Sequence, residues 1–362
     1  MRLALLTYST KPRGGVVHTL ALAEALTRIG VEVDVWTLGR GGDTTFFRPV
    51  DPAVAVHAVP FEAGADEPVG ARITRSIQVL RTAFERERHQ YDVVHAQDCI
   101  SANAALPCVR TIHHLDTFTT PELAACHERA VVEPSALLCV SESVAGEVRA
   151  GWGRDPLVIP NGVDAARFAA GSADVAGRAG WADRLGSYVL ALGGIEPRKG
   201  SIDLLEAVAL LRASRPDLAH LRLVFGGGET LFDYRDYRAA FDARAAELGV
   251  VPEVVGVLSE EELPALVAQA DVLAMVSTKE GFGLAALEAL AAGVPVVARD
   301  LPVLREVFGD AVAFADSPRR IASALAAALD DDAHDPTPGQ ALAASYTWDA
   351  AAARHREFYE SL

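Results

Sequence analysis

Short apolar runs alternate along this chain with longer stretches in which apolar residues recur every three or four positions. Leu3-Ala-Leu-Leu-Thr predicts a first strand. It leads through the turn Lys11-Pro-Arg-Gly-Gly15 into a segment where Val16, Leu20, Ala23 and Leu26 recur at helical spacing, ended by Gly30. Val31-Glu-Val-Asp-Val-Trp36 alternates and predicts the second strand. Further strands are predicted at 54–59, 92–96, 107–111 and 136–141. Val158-Ile-Pro-Asn-Gly-Val-Asp164 predicts a strand that ends in a turn at Asn161-Gly162.

The pattern then restarts. The polar, Ala/Gly-rich stretch 169–183 reads as a linker. Tyr188-Val-Leu-Ala-Leu opens a second unit, which passes through Gly193-Gly194 into a predicted helix at 202–213. Strands are predicted at 221–225 (running into Gly226-Gly-Gly228), 254–257, 272–276, 295–297 and 311–314. The Ala-rich run 321–329 predicts a helix, 330–339 an acidic loop, and 347–359 a final helix anchored by Trp348, Phe358 and Tyr359. Strands separated by helical segments imply βαβ units and a mainly parallel sheet. The expected fold class is α/β, with two Rossmann-like domains that each begin strand, Gly-Gly turn, helix. Ligands of such open sheets bind beyond the carboxyl ends of the strands.

Composition narrows the function. A length of 362 residues suits two domains of ordinary size. The formal net charge of −16 argues against a nucleic-acid partner, whose footprint would be a basic face. It lends no support to a polybasic membrane anchor, while leaving peripheral membrane contact open. No run of about 18 uncharged apolar residues exists, so no transmembrane segment is expected. The N-terminal apolar run is too short for a signal peptide. Cys99, Cys108, Cys126 and Cys139 form no CxxC pair and no zinc spacing, and buried free thiols in a reducing cytoplasm are expected.

The chemistry concentrates at Glu280-Gly-Phe-Gly-Leu-Ala-Ala-Leu-Glu288, which follows the predicted strand Ala270-Asp-Val-Leu-Ala-Met-Val-Ser277. A strand, a glycine turn and a helix start make an anion cradle, because the first helical N–H groups lack partners inside the helix. Two carboxylates flanking it are poor company for phosphate and suit hydroxyls instead. A sugar and a ribose joined by a diphosphate meet both demands. Glu288 lies in so apolar a helix that it needs a partner. Arg198 and Lys199, on Glu196-Pro-Arg-Lys-Gly200, are either a solvated pair at a helix start or the neutralising charge for a diphosphate. His113 and His114 end a strand, and with Asp116 they invite a metal reading that no second ligand cluster supports. His95 and Asp98 also sit at a strand end, as acceptor-side candidates or as ordinary strand-end polarity. The pattern G-x-G-x-x-G is absent, which counts against a nicotinamide dehydrogenase.

Taken together, these segments resemble the retaining glycosyltransferases of family 4 (glycosyl transferases group 1), which have the GT-B fold. Glu280 to Glu288 resembles their E-x7-E signature, Val158–Asp164 their I-P-N-G-V-D segment, Glu196–Gly200 their basic P-x-K-G turn, and Phe225-Gly-Gly-Gly-Glu229 a second glycine turn. The opening Thr7-Tyr-Ser-Thr-Lys-Pro-Arg-Gly-Gly-Val-Val-His18 is similar to a bacterial subgroup. The resemblance implies two facing Rossmann-like domains with a cleft. Residues 1–165 would be the acceptor side, 166–345 the nucleotide-sugar side, and 346–362 a helix crossing back. It implies a nucleotide-diphosphate sugar donor, no cofactor or required metal, and transfer of a hexosyl group with retention to a hydroxyl or amine.

The implied catalytic residues are His113, Lys199 and Glu280. The implied donor-binding residues are Gly15, Arg198, Lys199, Gly227, Glu280, Gly281, Phe282, Gly283, Leu284 and Glu288. One departure stands out: many members carry an arginine five residues before the lysine, where this chain has Gly194. Either Arg198 takes over or one phosphate contact is absent. A nucleotide-sugar epimerase of the same fold and a non-catalytic sugar-nucleotide-binding protein are the rival readings. Uridine, guanosine and adenosine donors all stay open, as do sugar, acceptor and oligomeric state.

Overall fold

A computed structural model describes residues 1–42, 44–62, 64, 67–116, 118, 120–227, 234–331 and 333–362. The chain divides into two compact units, one formed by 1–162 with 348–362 and the other by 163–347.

The first unit is built on seven parallel strands: β1 (Arg2–Leu6), β2 (Glu32–Arg40), β3 (Ala55–Phe61), β4 (Val93–Ala96), β5 (Val109–Ile112), β6 (Ala136–Cys139) and β7 (Leu157–Val158). Their order across the sheet is β3-β2-β1-β4-β5-β6-β7. Every strand is parallel to its neighbours, with Leu3 opposite Val33 on one side and Val93 on the other. Such a sheet is covered on both faces and reads as apolar runs rather than alternation. The helix Gly14–Arg28 supplies Val16, Leu20, Ala23 and Leu26 to the core, the spacing seen in the sequence. The final helix, Trp348–Glu360, lays Ala351, Ala352 and Tyr359 into that same core. Arg28 forms an ion pair with Asp349 at its edge.

The second unit has six parallel strands: β8 (Tyr188–Leu192), β9 (Arg222–Gly226), β10 (Glu253–Gly256), β11 (Val272–Met275), β12 (Val296–Arg299) and β13 (Ala313–Ala315). Their order is β10-β9-β8-β11-β12-β13. In both sheets the order reverses beside the first strand, at β1/β4 and at β8/β11. Those are the switch points where the crevice beyond the strand ends opens.

All thirteen strands overlap the runs anticipated from the sequence, with ends displaced by a few residues. Two other expectations need correction. The stretch 169–183 is not a linker: it lies within the helices Ala165–Ala173 and Val175–Leu185. Asp164 caps the first by accepting the Arg167 N–H at 3.1 Å, and Asp174 caps the second by accepting that of Gly177 at 2.9 Å. Phe168, Trp181 and Leu185 are their buried anchors. The loop 330–339 ends early, because the helix Thr337–Ser345 begins with Pro338 in its first turn. After β3 the chain enters the helix Val69–Phe84; positions 63, 65 and 66 lie outside the described residues.

Candidate active site

Two loops meet at the β8/β11 switch point. After β8 the chain passes Gly193-Gly194 and a short turn of 3-10 helix, Pro197–Lys199, before the helix Ser201–Ser214. After β11 it passes Ser277 and Glu280 into the helix Leu284–Ala291. The loops are stitched together by the backbone, with the Thr278 N–H donating to the Arg198 carbonyl at 2.8 Å. Gly200 makes this approach feasible. Its φ is +65°, and a Cβ there would lie 2.3 Å from the Val276 carbonyl oxygen. Buried Arg299, at the end of β12, donates to that same Val276 oxygen, to the Asp316 carbonyl and to Asp203. It braces three elements under the turn.

Lys199 Nζ donates to Glu280 Oε1 at 2.6 Å, and Ser277 Oγ donates to the same oxygen at 2.9 Å. Arg198 Nη1 lies 3.5 Å from it and donates to the Lys279 carbonyl at 3.3 Å. Burial pushes the Glu280 carboxyl up, but Lys199 and Arg198 overrule it and hold it down at about 2. Glu280 is therefore an anion whose charge is matched by two cations at a strand-end crevice. A cavity of about 20 Å³ opens beside them, lined by Gly193, Gly194, Lys199, Met275 and Ser277.

The helix Leu284–Ala291 starts from Gly283, at φ +99°, and no side chain caps it. A Cβ on Gly283 would press to 2.9 Å on Met275 and Phe308, so the bare N–H groups of this helix start are reached only with glycine there. Phe282 is buried against Tyr346, with ring centroids 5.3 Å apart, and Gly281 is buried beside it. Leu284 is half-buried at the first helical position. Glu288, about one turn into the helix, differs from Glu280 in its partners. Its carboxylate accepts no hydrogen bond from any described residue. Burial pushes it up to about 7, with Arg167 opposing and Glu260 adding to the shift. Gly227 follows β9 and packs against the Gly193 backbone; Gly228 and Glu229 of the second glycine turn lie outside the described residues.

The first unit brings Gly15 and His113 together. A Cβ on Gly15 would sit 3.5 Å from the His113 ring. His113 Nε2 is 3.2 Å from Gln97 Oε1. His114 instead pairs with Asp116 at 2.9 Å, and no metal-binding group of His, Cys, Asp or Glu is found among the described residues. His95 and Asp98 turn out to be structural. His95 is fully buried between Tyr359 and Thr111, and Asp98 caps the helix Cys99–Ala105 in a capping box with Ser101. A wider open hollow of about 830 Å³ lies elsewhere on this unit, along Pro68, Thr74, Thr120 and Glu122. Its charged lining residues are Glu122 and Arg75, the latter paired with Glu67 at 2.7 Å.

Sequence reasoning missed Ser277, Arg299 and Gln97. Each is one polar residue at the end of an apolar strand, and that position is the only signal any of them gives.

Comparison with known proteins identifies the family. The profile of Glycosyl transferases group 1 matches residues 185–344, and that of Glycosyltransferase Family 4 matches residues 12–167. A D-inositol 3-phosphate glycosyltransferase of Pseudarthrobacter chlorophenolicus is 31% identical over 82% of this chain and 78% of its own. The chain belongs to the glycosyl transferases of group 1. A second relative of that name, from Corynebacterium glutamicum, is 28% identical to this glycosyltransferase over 99% of the chain and 96% of its own. Among solved structures, Anabaena Alr3699/HepE in complex with UDP and glucose aligns with a TM-score of 0.78 at 20% identity, over 99% of each chain. Sucrose-phosphate synthase from Thermosynechococcus elongatus aligns with a TM-score of 0.79 at 18% identity, over 99% of this chain and 98% of its own. The glycosyltransferase therefore has the GT-B type of fold, and no described helix is long and apolar enough to cross a membrane.

Proposed function

We propose that this glycosyltransferase holds a nucleotide-diphosphate sugar on its second unit and transfers the hexosyl group, with retention, to a hydroxyl or amine. The observation that carries this reading is the contrast between Glu280 and Glu288 around one uncapped helix start. Glu280 is ionised and matched by Lys199 and Arg198. A diphosphate arriving there takes over those cations, and the freed carboxylate accepts from sugar hydroxyls. Glu288 has no internal donor, so ribose hydroxyls are its natural partners. Arg198, beside Glu280, stands in for the arginine that the family carries at the Gly194 position.

No described protein carboxylate is offered as a nucleophile. The acceptor attacks the face from which the diphosphate leaves: the C1–O bond to the diphosphate breaks, the new glycosidic bond forms, and the acceptor's proton passes to the departing phosphate oxygen. Lys199, Arg198 and the N–H groups after Gly283 stabilise the charge that develops on that oxygen. This chemistry asks for no metal. The first unit takes the acceptor, near Gly15 and His113.

UDP-glucose is the first donor to test, because the Anabaena protein has been solved in complex with it. Inositol phosphate is the first acceptor to test, after the name of the curated relatives. Calorimetry with UDP and UDP-glucose should show affinity reduced about tenfold or more in Lys199→Ala and in Glu288→Ala, as expected for buried charge-assisted hydrogen bonds. Unchanged affinity in both variants would refute the site. Coupling constants of the anomeric proton in the product should show an α-linkage from an α-linked donor. An epimerised sugar formed from donor alone would favour the epimerase reading instead.

A further inference from the structure

Behind His113 the first unit contains a run of buried polar groups that the proposed chemistry does not use. His113 Nε2 lies 3.2 Å from Gln97 Oε1. The other end of the same amide, Gln97 Nε2, lies 3.4 Å from His95 Nε2. His95 Nε2 is also 2.8 Å from Thr111 Oγ1, and His95 Nδ1 is 2.7 Å from the Tyr359 hydroxyl on the final helix. Gln97, His95, Thr111 and Tyr359 are all almost fully buried.

A neutral imidazole has one N–H and one lone pair, whereas a primary amide has an acceptor end and a donor end. Gln97 therefore ties the two rings to opposite choices. The ring facing its oxygen must carry a proton on Nε2, and the ring facing its NH₂ must present a lone pair there. We propose that Gln97 is a positioning residue that locks His95 and His113 into opposite tautomers, fixing His113 as Nε2–H with a bare Nδ1. Tyr359 completes the lock from the final helix by accepting the His95 Nδ1 proton, while the Thr111 hydroxyl shares the single His95 Nε2 lone pair with the Gln97 NH₂.

Burial keeps the rings neutral, as the lock requires. It pushes His113 down to about 3, helped by His114 and Arg110, and lowers His95 well below its ordinary value. Nearby His18 donates Nδ1–H to Asn161 Oδ1 at 2.8 Å, and its ring stands edge-on to His113 with centroids 4.6 Å apart. His18 thus leaves the His113–Gln97 contact undisturbed. No described residue bonds His113 Nδ1, so the lock makes this ring an acceptor for a hydroxyl rather than a donor. That consequence rests on the role proposed above for His113; the tautomer lock itself does not.

Long-range proton–nitrogen correlation spectra of histidine-labelled protein read each ring directly, with peaks assigned from His113→Ala and His95→Ala. His113 should show a protonated Nε2 and His95 a protonated Nδ1. In Gln97→Leu, which removes both ends of the amide at similar volume, the His113 signals should move toward a mixture of tautomers. In Tyr359→Phe the exchange should reach His113 although no contact of its own is altered. The same tautomer on both rings, or His113 signals unmoved in Gln97→Leu, would overturn the proposal. Gln97→Leu should lower kcat about tenfold with donor KM little changed, the pattern of a misoriented rather than missing contact. If His113→Ala leaves turnover intact while the spectra show the lock, the catalytic role of His113 fails and the lock stands.

Discussion

Glu288→Gln separates the stability of the second unit from its function. Burial lifts the Glu288 carboxyl from an ordinary 4.5 to about 7. An acid raised in this way keeps its proton in the folded state where the unfolded chain has released it. The folded state then binds more protons between the two values, and stability falls as pH rises through that window. At about 1.36 kcal/mol per pH unit, the displacement amounts to about 3 kcal/mol once the pH exceeds the folded value. Glutamine has the same shape and no charge. The variant should match the parent near pH 4 and exceed it by up to about 3 kcal/mol near pH 8. Urea unfolding at several pH values measures this, followed by the fluorescence of Trp181, the one tryptophan between 163 and 347. Function should move the other way. If ionised Glu288 accepts the ribose hydroxyls as proposed, nucleotide affinity of the parent should rise through neutral pH, while the variant binds weakly at every pH. A stability difference that does not grow with pH would show that the carboxyl is not strained by burial. Equal nucleotide affinity in parent and variant would remove it from the site.

Gly200→Ala should destabilise the second unit by about 2 kcal/mol or more, since the Cβ meets the Val276 oxygen in a left-handed conformation; a thermal melt within error of the parent would contradict the close approach. Turnover should persist after exhaustive treatment with EDTA, because Lys199, Arg198 and the helix start carry the phosphate charge; a loss restored by magnesium or manganese would overturn that assignment. Asp34 accepts from Tyr91, His57 and Arg2 at 2.8, 2.9 and 3.0 Å, and these donors hold its carboxyl down against burial. Asp34→Asn should therefore lose stability at neutral pH, and the gap should narrow as pH falls through the lowered Asp34 value; denaturation midpoints against pH read this.

The sheets were legible because a buried parallel strand is a short apolar run bounded by glycine or a helical segment, a form that β1, β8 and β11 show plainly. The helices at 165–173 and 175–185 were not, because each is marked only by a single capping aspartate in an Ala/Gly-rich stretch. The spacing of Glu280 and Glu288 suggested a matched pair of acceptors. The structure gives them opposite environments, since Lys199 and Arg198 reach Glu280 from a loop 81 residues away and nothing comparable reaches Glu288. Such pairings depend on which strands are neighbours, and strand order is invisible to local pattern. Gln97 was passed over for the same reason: its side-chain partners are His95 on β4 and His113 just after β5.

The first unit is interrupted by the whole of the second, and its closing helix is made from the last residues of the chain. During synthesis the second unit has all of its own sequence before the ribosome finishes. The sheet that began at Arg2 still waits, with the apolar flank of Gly14–Arg28 uncovered, until Trp348–Glu360 emerges. A nascent chain stalled short of position 348 would thus display a finished domain beside an adhesive, incomplete one, and chaperone dependence or aggregation should track that late docking step.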